Sequence, residues 1–344
     1  MTAPETMQLG KAIGAALHDA LAEDDRVFLM GEDIGALGGV FRVTDGLQAT
    51  YGPKRVIDSP LAESAIIGTA IGMAYRGYRP VVEIQFDGFI YPGFDQIVAQ
   101  VAKLHYRTKG RVRVPMVIRV PYGGDIGSVE HHSESPESYF AHTAGLRVVT
   151  AATPQEAYST LRAAIASDDP VLFFEPKSRY WSKGEVDRSI VRDLDTAEVL
   201  VRGRDVTLAT YGPVVKTALD AAVAASDEGI EIEVIDLRSI SPLDVDTVVA
   251  SVERTGRLVV AHEAPKESSV SSELVASVVE RAFASLQAAP ERVTAYDTPY
   301  PPSAFEEAYL PSVDRILDAV DRTLGRRSSR TAGDRTPALQ GGSR

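Results

Sequence analysis

The stretch Val56-Ile57-Asp58-Ser59-Pro60-Leu61-Ala62-Glu63-Ser64-Ala65-Ile66-Ile67-Gly68, with Pro80-Val81-Val82-Glu83-Ile84-Gln85-Phe86 behind it, decides how this chain is read. An apolar pair leads into a helix from Glu63 to about Gly77, and a strand follows at 80–86. The helix has almost no polar residue before Arg76, and a helix apolar on most sides reads as buried. Gly68 and Gly72 lie four apart on one face and, lacking side chains, admit another backbone. Glu63 therefore stands at the mouth of an interior or interface helix. Burial without a partner raises a carboxylate's proton affinity. An acid at this position also favours the positive end of the helix dipole, and spacing alone leaves both roles open.

Outward from this unit the pattern repeats. Thr6 is placed to cap a first helix through about Asp24, with Met7, Ile13, Leu17 and Leu21 inward. Val27-Phe28-Leu29-Met30 is a strand that enters a glycine-rich loop, Gly31 to Gly39. Its glycines miss the G-x-G-x-x-G spacing, so the loop reads as backbone needing open angles, not as a dinucleotide fingerprint. A helix near Phe94 to Thr108 leads to a strand, Met116 to Val120, ended by Pro121. A long loop, Tyr122 to Pro136, holds Glu130-His131-His132-Ser133-Glu134. Strands at 147–149 and 171–174 flank a helix capped by Thr153. Such alternation is the pattern of a parallel sheet covered by helices on both faces. It restarts at Val206 and ends with a helix near Leu324. The fold class is α/β: two three-layer α/β/α domains with mainly parallel sheets. The bounds are 1–180, a linker at 181–199, a smaller domain at 200–324, and a tail at 325–344 expected to be disordered.

The 344 residues carry a net charge of −12 and no cysteine. The tail holds five arginines against one aspartate, a net +4 that leaves −16 on the rest. An acidic body argues against nucleic acid or an anionic membrane as partner. No run of about 18 apolar residues is present, so no membrane span is expected. Met1 to Gly10 lacks a basic-then-apolar run, so no secretory signal is expected. Absence of cysteine excludes disulfides and thiolate chemistry and fits a cytoplasmic protein.

Several blocks share one order: Gly31-Glu32-Asp33 through Gly38-Gly39-Val40-Phe41-Arg42-Val43-Thr44; Pro60-Leu61-Ala62-Glu63; Glu83-Ile84-Gln85-Phe86; Asp95-Gln96-Ile97; His132-Ser133 with Pro136-Glu137; Gly145 to Val149; Tyr211-Gly212; Glu233 to Arg238; and Pro242-Leu243-Asp244. In these blocks residues 5–324 resemble the beta subunit of the thiamine-diphosphate-dependent decarboxylating component of 2-oxo acid dehydrogenase complexes. The resemblance implies a pyrimidine-binding domain followed by a transketolase C-terminal-like domain. It implies oxidative decarboxylation of a 2-oxo acid, with acyl transfer to the lipoyl group of an acyltransferase component. It also implies two alpha and two beta chains sharing thiamine diphosphate. Mg²⁺ and the diphosphate would be held by the alpha subunit. The chain itself has no Gly-Asp-Gly; Gly124-Asp125-Ile126 and Gly333-Asp334-Arg335 are the nearest stretches.

Residue by residue, the resemblance puts Glu63 on the ring nitrogen of the aminopyrimidine, where a shared proton stabilises the imino form that acts as the cofactor's internal base. Phe89 falls beside that ring, where some members carry Tyr, so stacking remains without a hydroxyl. Leu61 and Gln85 fall nearby, and Gln85 suits strand-end hydrogen bonding equally well. His132 matches the histidine that donates a proton as the dithiolane opens. His131 reads as its solvent-exposed neighbour; His18, His105, His142 and His262 read as structural. Glu134 stands where Gln is frequent, and an extra acid would raise the His132 proton affinity or face water. A monovalent cation, K⁺ among the candidates, would fall at Val114, Met116, Val117, Ala164, Ser167 and Asp169. The segment Ala264-Pro265-Lys266-Glu267-Ser268-Ser269-Val270 departs from a usually glycine-rich loop. The Asp125-to-Tyr139 loop favours a branched-chain substrate, with pyruvate as the alternative. A non-catalytic nucleotide-binding or scaffold protein is the competing reading, and copurification of an alpha partner would separate the two.

Overall fold

The computed structural model describes residues 4–326; residues 327–344, nearly all of the expected tail, lie outside the described residues. In chain order the strands are β1 (Glu5–Gln8), β2 (Val27–Gly31), β3 (Val56–Asp58), β4 (Arg79–Glu83), β5 (Val117–Tyr122), β6 (Arg147–Thr150) and β7 (Val171–Pro176). Then come β8 (Lys183–Val186), β9 (Glu198–Val201), β10 (Val206–Thr210), β11 (Ile232–Asp236), β12 (Ser239–Ser241), β13 (Leu258–Pro265) and β14 (Glu291–Ala295). One sheet runs β12-β6-β7-β5-β4-β2-β3 and a second runs β14-β13-β10-β11-β9. Within them only β12 and β9 pair antiparallel. Strands covered on both faces are mainly apolar, and β5 and β7 are buried at every residue, the charged Arg119 and Glu175 among them.

The segment at 181–199 is less plain than a linker. Its strand β8 pairs antiparallel with β1, with Thr6 opposite Glu185. Thr6 is thus a strand residue and caps nothing. The first helix starts at Leu9, and the N–H groups of Leu9 and Gly10 donate to the carbonyls of Ser182 and Tyr180 at 3.0 Å. Those carbonyls satisfy donors a cap would otherwise serve. Strand β5 also runs through Pro121 instead of stopping before it. The Arg119 carbonyl takes the Ile84 N–H, so residues of that parity face β4. Beside Pro121 that neighbour has already ended, and no ladder bond is lost. The expected helix at 94–108 is irregular: a π-type turn over Gln96–Val101 and a short helix over Leu104–Arg107.

The Glu63–Tyr75 helix is buried on one side only. Ile66, Ile67, Ala70, Ile71 and Ala74 pack inward, whereas Ser64, Ala65, Thr69 and Gly72 are exposed. Nothing lies within 4 Å of where a Cβ on Gly72 would sit. The two glycines therefore admit no backbone of this chain.

The two halves meet in one apolar cluster. Tyr122, Phe140 and Leu146 from the first half share it with Tyr211, Ile235, Leu237 and Ile240 from the second. Each buried Phe, Leu or Ile of that seam contributes about 1.5–3 kcal/mol relative to exposure. Strand β12 crosses the seam to pair with β6, so the second half supplies an edge of the first sheet. Beneath the carboxyl ends of the central strands, buried Arg119 bridges Glu83 at 2.7 Å and Glu175 at 2.6 Å. Among the described residues no helix is long and apolar enough to cross a membrane.

Candidate active site

The first sheet reverses its winding at β2, which lies between β3 and β4. The chain goes from β2 out to β3 and returns past β2 to β4. In open α/β sheets, ligands bind outside the carboxyl ends of strands at such a reversal. Glu32 and Asp33 leave β2 there, Ser59 to Glu63 leave β3, and Gln85 to Phe89 leave β4. The topology thus gathers Glu63, Leu61, Gln85 and Phe89 around one crevice.

Glu63 is half-buried and Leu61 is 81% exposed. The turn over Asp87–Gly93 packs against the start of the Glu63 helix, with the Glu63 carbonyl oxygen 3.6 Å from where a Cβ on Gly93 would sit. Gln85 Nε2 reaches Asp33 Oδ2 at 3.5 Å, a long contact that leaves its amide largely free. Sequence reasoning gave no role to Glu32, which is buried and leaves Oε1 without a partner. Burial pushes its carboxyl up, and the neighbouring Glu63 adds to the effect, while the Ala62 N–H opposes it. Two acids at one crevice, one driven toward its neutral form, suit a shared proton. Its position directly after β2, at the mouth of the reversal, was the one available signal.

His132 sits on the loop after β5, at the same end of the sheet. Its ring centre lies 4.1 Å from that of Phe86 and 5.1 Å from that of Phe89, the latter edge-on. His131 is exposed, with its ring 4.4 Å from that of His132. His132 is half-buried, and its Nδ1 is enclosed without a partner. Burial lowers its proton affinity, as do His131 and Lys177, while Glu130 opposes them. Glu134 neither raises His132 nor stands free in water. Its Oε2 accepts the Tyr91 hydroxyl at 3.1 Å, its N–H donates to Asp87 Oδ2 at 2.7 Å, and its carbonyl takes the Gly123 N–H at 2.9 Å.

The second half of the chain holds the same loop. The Gly124 N–H donates to Glu263, and the N–H groups of Asp125 and Gly127 donate to Glu306 at 2.9 and 3.1 Å. Farther along, the Tyr211 hydroxyl donates to Glu137 at 2.7 Å. Burial raises Glu137 to about 7 and Glu263 to about 8. Both were missed, because each has its partner in the other domain.

The residues carried over for a monovalent cation lie elsewhere. Val114, Met116 and Val117 are at the start of β5, and Ala164, Ser167 and Asp169 precede β7. That is the amino end of the sheet, opposite the crevice. The Ser167 carbonyl accepts Arg79 at 2.8 Å, and Asp169 faces Arg147 at 3.4 Å. Guanidinium groups thus approach two of its members, Ser167 and Asp169, and a cation there would share them with Arg79 and Arg147. Among the described residues no group of three or more His, Asp or Glu could hold a metal ion.

Residues 5–182 match the transketolase pyrimidine-binding domain, and residues 195–316 match the transketolase C-terminal domain. The chain is 56% identical to the pyruvate dehydrogenase E1 component subunit beta of Leifsonia xyli subsp. xyli, over 93% of this chain and 95% of the other. The chain belongs to the E1 beta subunits of the 2-oxo acid dehydrogenases. It is also 51% identical to the 3-methyl-2-oxobutanoate dehydrogenase subunit beta of Mycobacterium tuberculosis, over 93% and 92% of the two chains. A solved structure titled split gene transketolase, inactive beta4 tetramer, shares the fold: TM-score 0.78 at 21% identity, covering 93% of this chain and 98% of that one. Membership of the E1 beta family brings thiamine diphosphate as cofactor and an alpha subunit as companion, and it sets aside the scaffold reading. The carboxyl groups at the β2 reversal fit the pyrimidine half of such a cofactor. The unpartnered Glu32 oxygen and the half-open Glu63 offer the carboxyl groups such a ring requires.

Proposed function

We propose that this chain supplies the pyrimidine side and the acyl-transfer side of a 2-oxo acid decarboxylase. Two copies work with two alpha subunits that hold Mg²⁺ and the diphosphate. The observation that carries the reading is the placing of the Glu32–Glu63 acids and of His132 at one end of one sheet. When bound, thiamine diphosphate supplies the electron-accepting thiazolium ring that makes loss of carbon dioxide feasible. Glu63 holds a proton at the far nitrogen of the aminopyrimidine. Burial raises the proton affinity of Glu32 and so lessens the negative charge set beside Glu63. Phe89 stacks on the ring, and Leu61 lies exposed at the rim. His132 donates a proton to a dithiolane sulfur of the lipoyl group on the acyltransferase component. The half-exposed helix face of Ala65 and Gly72 is a surface for another subunit. The compartment is the cytoplasm, in keeping with a chain that has no cysteine.

The preferred substrate is a branched-chain 2-oxo acid. Its support is the His131-to-Glu137 stretch and the apolar wall of Phe86 and Phe89. Pyruvate is the second reading, favoured by the name of the Leifsonia relative. Reconstitution with an alpha subunit, followed by kcat/KM for 3-methyl-2-oxobutanoate and for pyruvate, tests the choice. The branched acid should exceed pyruvate; a higher value for pyruvate reverses the assignment.

A further inference from the structure

Beneath the His132 loop lies an ion pair that the chemistry above does not use. Asp87 and Lys177 are both 0% exposed, and Lys177 Nζ contacts Asp87 Oδ1. The second oxygen of Asp87 accepts the Glu134 N–H at 2.7 Å, two residues past His132. Phe86, just before Asp87, packs its ring 4.1 Å from that of His132, and Lys177 Nζ lies 5.5 Å over the same Phe86 ring. Gly88, just after Asp87, runs so close to the His131 carbonyl that a Cβ would collide with it. Residues 86–88 are therefore a continuous seat for His131 to Glu134.

Stability is a poor account of this pair. Taking two charges out of water offsets most of their attraction, and a well-packed apolar pair commonly holds a fold as well. What the pair does supply is orientation. A carboxylate whose one oxygen is fixed by an ammonium has only one way to turn the other. The Glu134 N–H then has one place to go, and the short span back to His132 follows.

We propose that Asp87, fixed by Lys177, is the positioning residue that sets His132 for proton donation during acyl transfer. This rests on the proposed role of His132. Lys177 contributes a second effect, because its positive charge, with His131 and against Glu130, disfavours protonation of His132.

The test uses the reconstituted complex and two assays: acyl transfer to lipoamide, and decarboxylation read with an artificial electron acceptor. Misplacing a reacting group by about 1 Å costs up to about a hundredfold. Asp87→Ala should lower transfer by about tenfold or more while acceptor-linked decarboxylation stays within about threefold. The double variant Asp87→Asn with Lys177→Met keeps an oxygen for the Glu134 N–H and leaves no lone buried charge. With no ammonium to fix that oxygen, transfer should stay depressed to about the level of Asp87→Ala while acceptor-linked decarboxylation stays within about threefold of wild type. Equal losses in both assays for Asp87→Ala overturn the proposal, and so does a double variant whose transfer matches wild type. His132→Ala, run alongside, keeps the two readings apart. If it fails to depress transfer selectively, the role of His132 falls. If it does so and Asp87→Ala does not, only the positioning role of Asp87 falls.

Discussion

The Glu63 helix and the His132 loop border one crevice and are held in opposite ways. Glu63 begins a helix packed on one side and bare on the other, next to a Leu61 that is 81% exposed. The His132 loop is fixed by its own chain from two domains: Asp87 and Gly123 from the first, Glu263 and Glu306 from the second. The difference follows from the roles proposed for the two sides. An acid that receives a ring from outside has to stay open toward the subunit bringing the rest of the cofactor. A proton donor that meets a swinging lipoyl group needs one fixed position before the group arrives.

The sharpest way to break this contrast is Glu63→Gln, which keeps size and removes the shared proton. General acid–base catalysis is worth about 10²–10⁴-fold, and turnover of the reconstituted complex should fall by that order. Assembly, followed by sedimentation, should persist, because the inward face of the helix is made by Ile66, Ile67, Ala70 and Ile71. Unchanged turnover with lowered stability would make Glu63 a helix-terminus residue only.

A smaller effect probes the loop side. Glu137 and Glu263 are raised by burial to about 7 and about 8, so the folded chain keeps protons that the unfolded chain releases. Their contribution to stability is complete below the ordinary glutamate value and is lost as pH rises through those two values. Between about pH 5 and 8 the thermal midpoint should therefore decline, and the double variant Glu137→Gln with Glu263→Gln should flatten the decline. An equal slope in wild type and variant would show that the seam does not titrate.

The sequence made legible what local pattern controls. The alternation of strand and helix, the glycine loop after β2 and the long loop after β5 all depend on neighbours in the chain. Of the crevice, the place of Glu63 at a helix mouth came from local pattern, whereas Leu61, Gln85 and Phe89 came from the family resemblance. Pairings across the fold left no such trace. Thr6 looked like a cap because β8, which pairs it into a strand, lies far along the chain. The pairing of β12 with β6 crosses the two domains. Asp87 and Lys177 are 90 residues apart, and neither reads as buried from composition. The Glu63 helix read as enclosed for a related reason: its small outer face looks the same whether the cover is its own chain or another.

The most direct test of the account is calorimetric titration of thiamine diphosphate with Mg²⁺ into the chain alone and into the chain reconstituted with an alpha subunit. The account predicts no saturable heat from the isolated chain and a saturable one from the complex. Tight binding by the isolated chain would contradict it, since the open side of Glu63 would then need no partner.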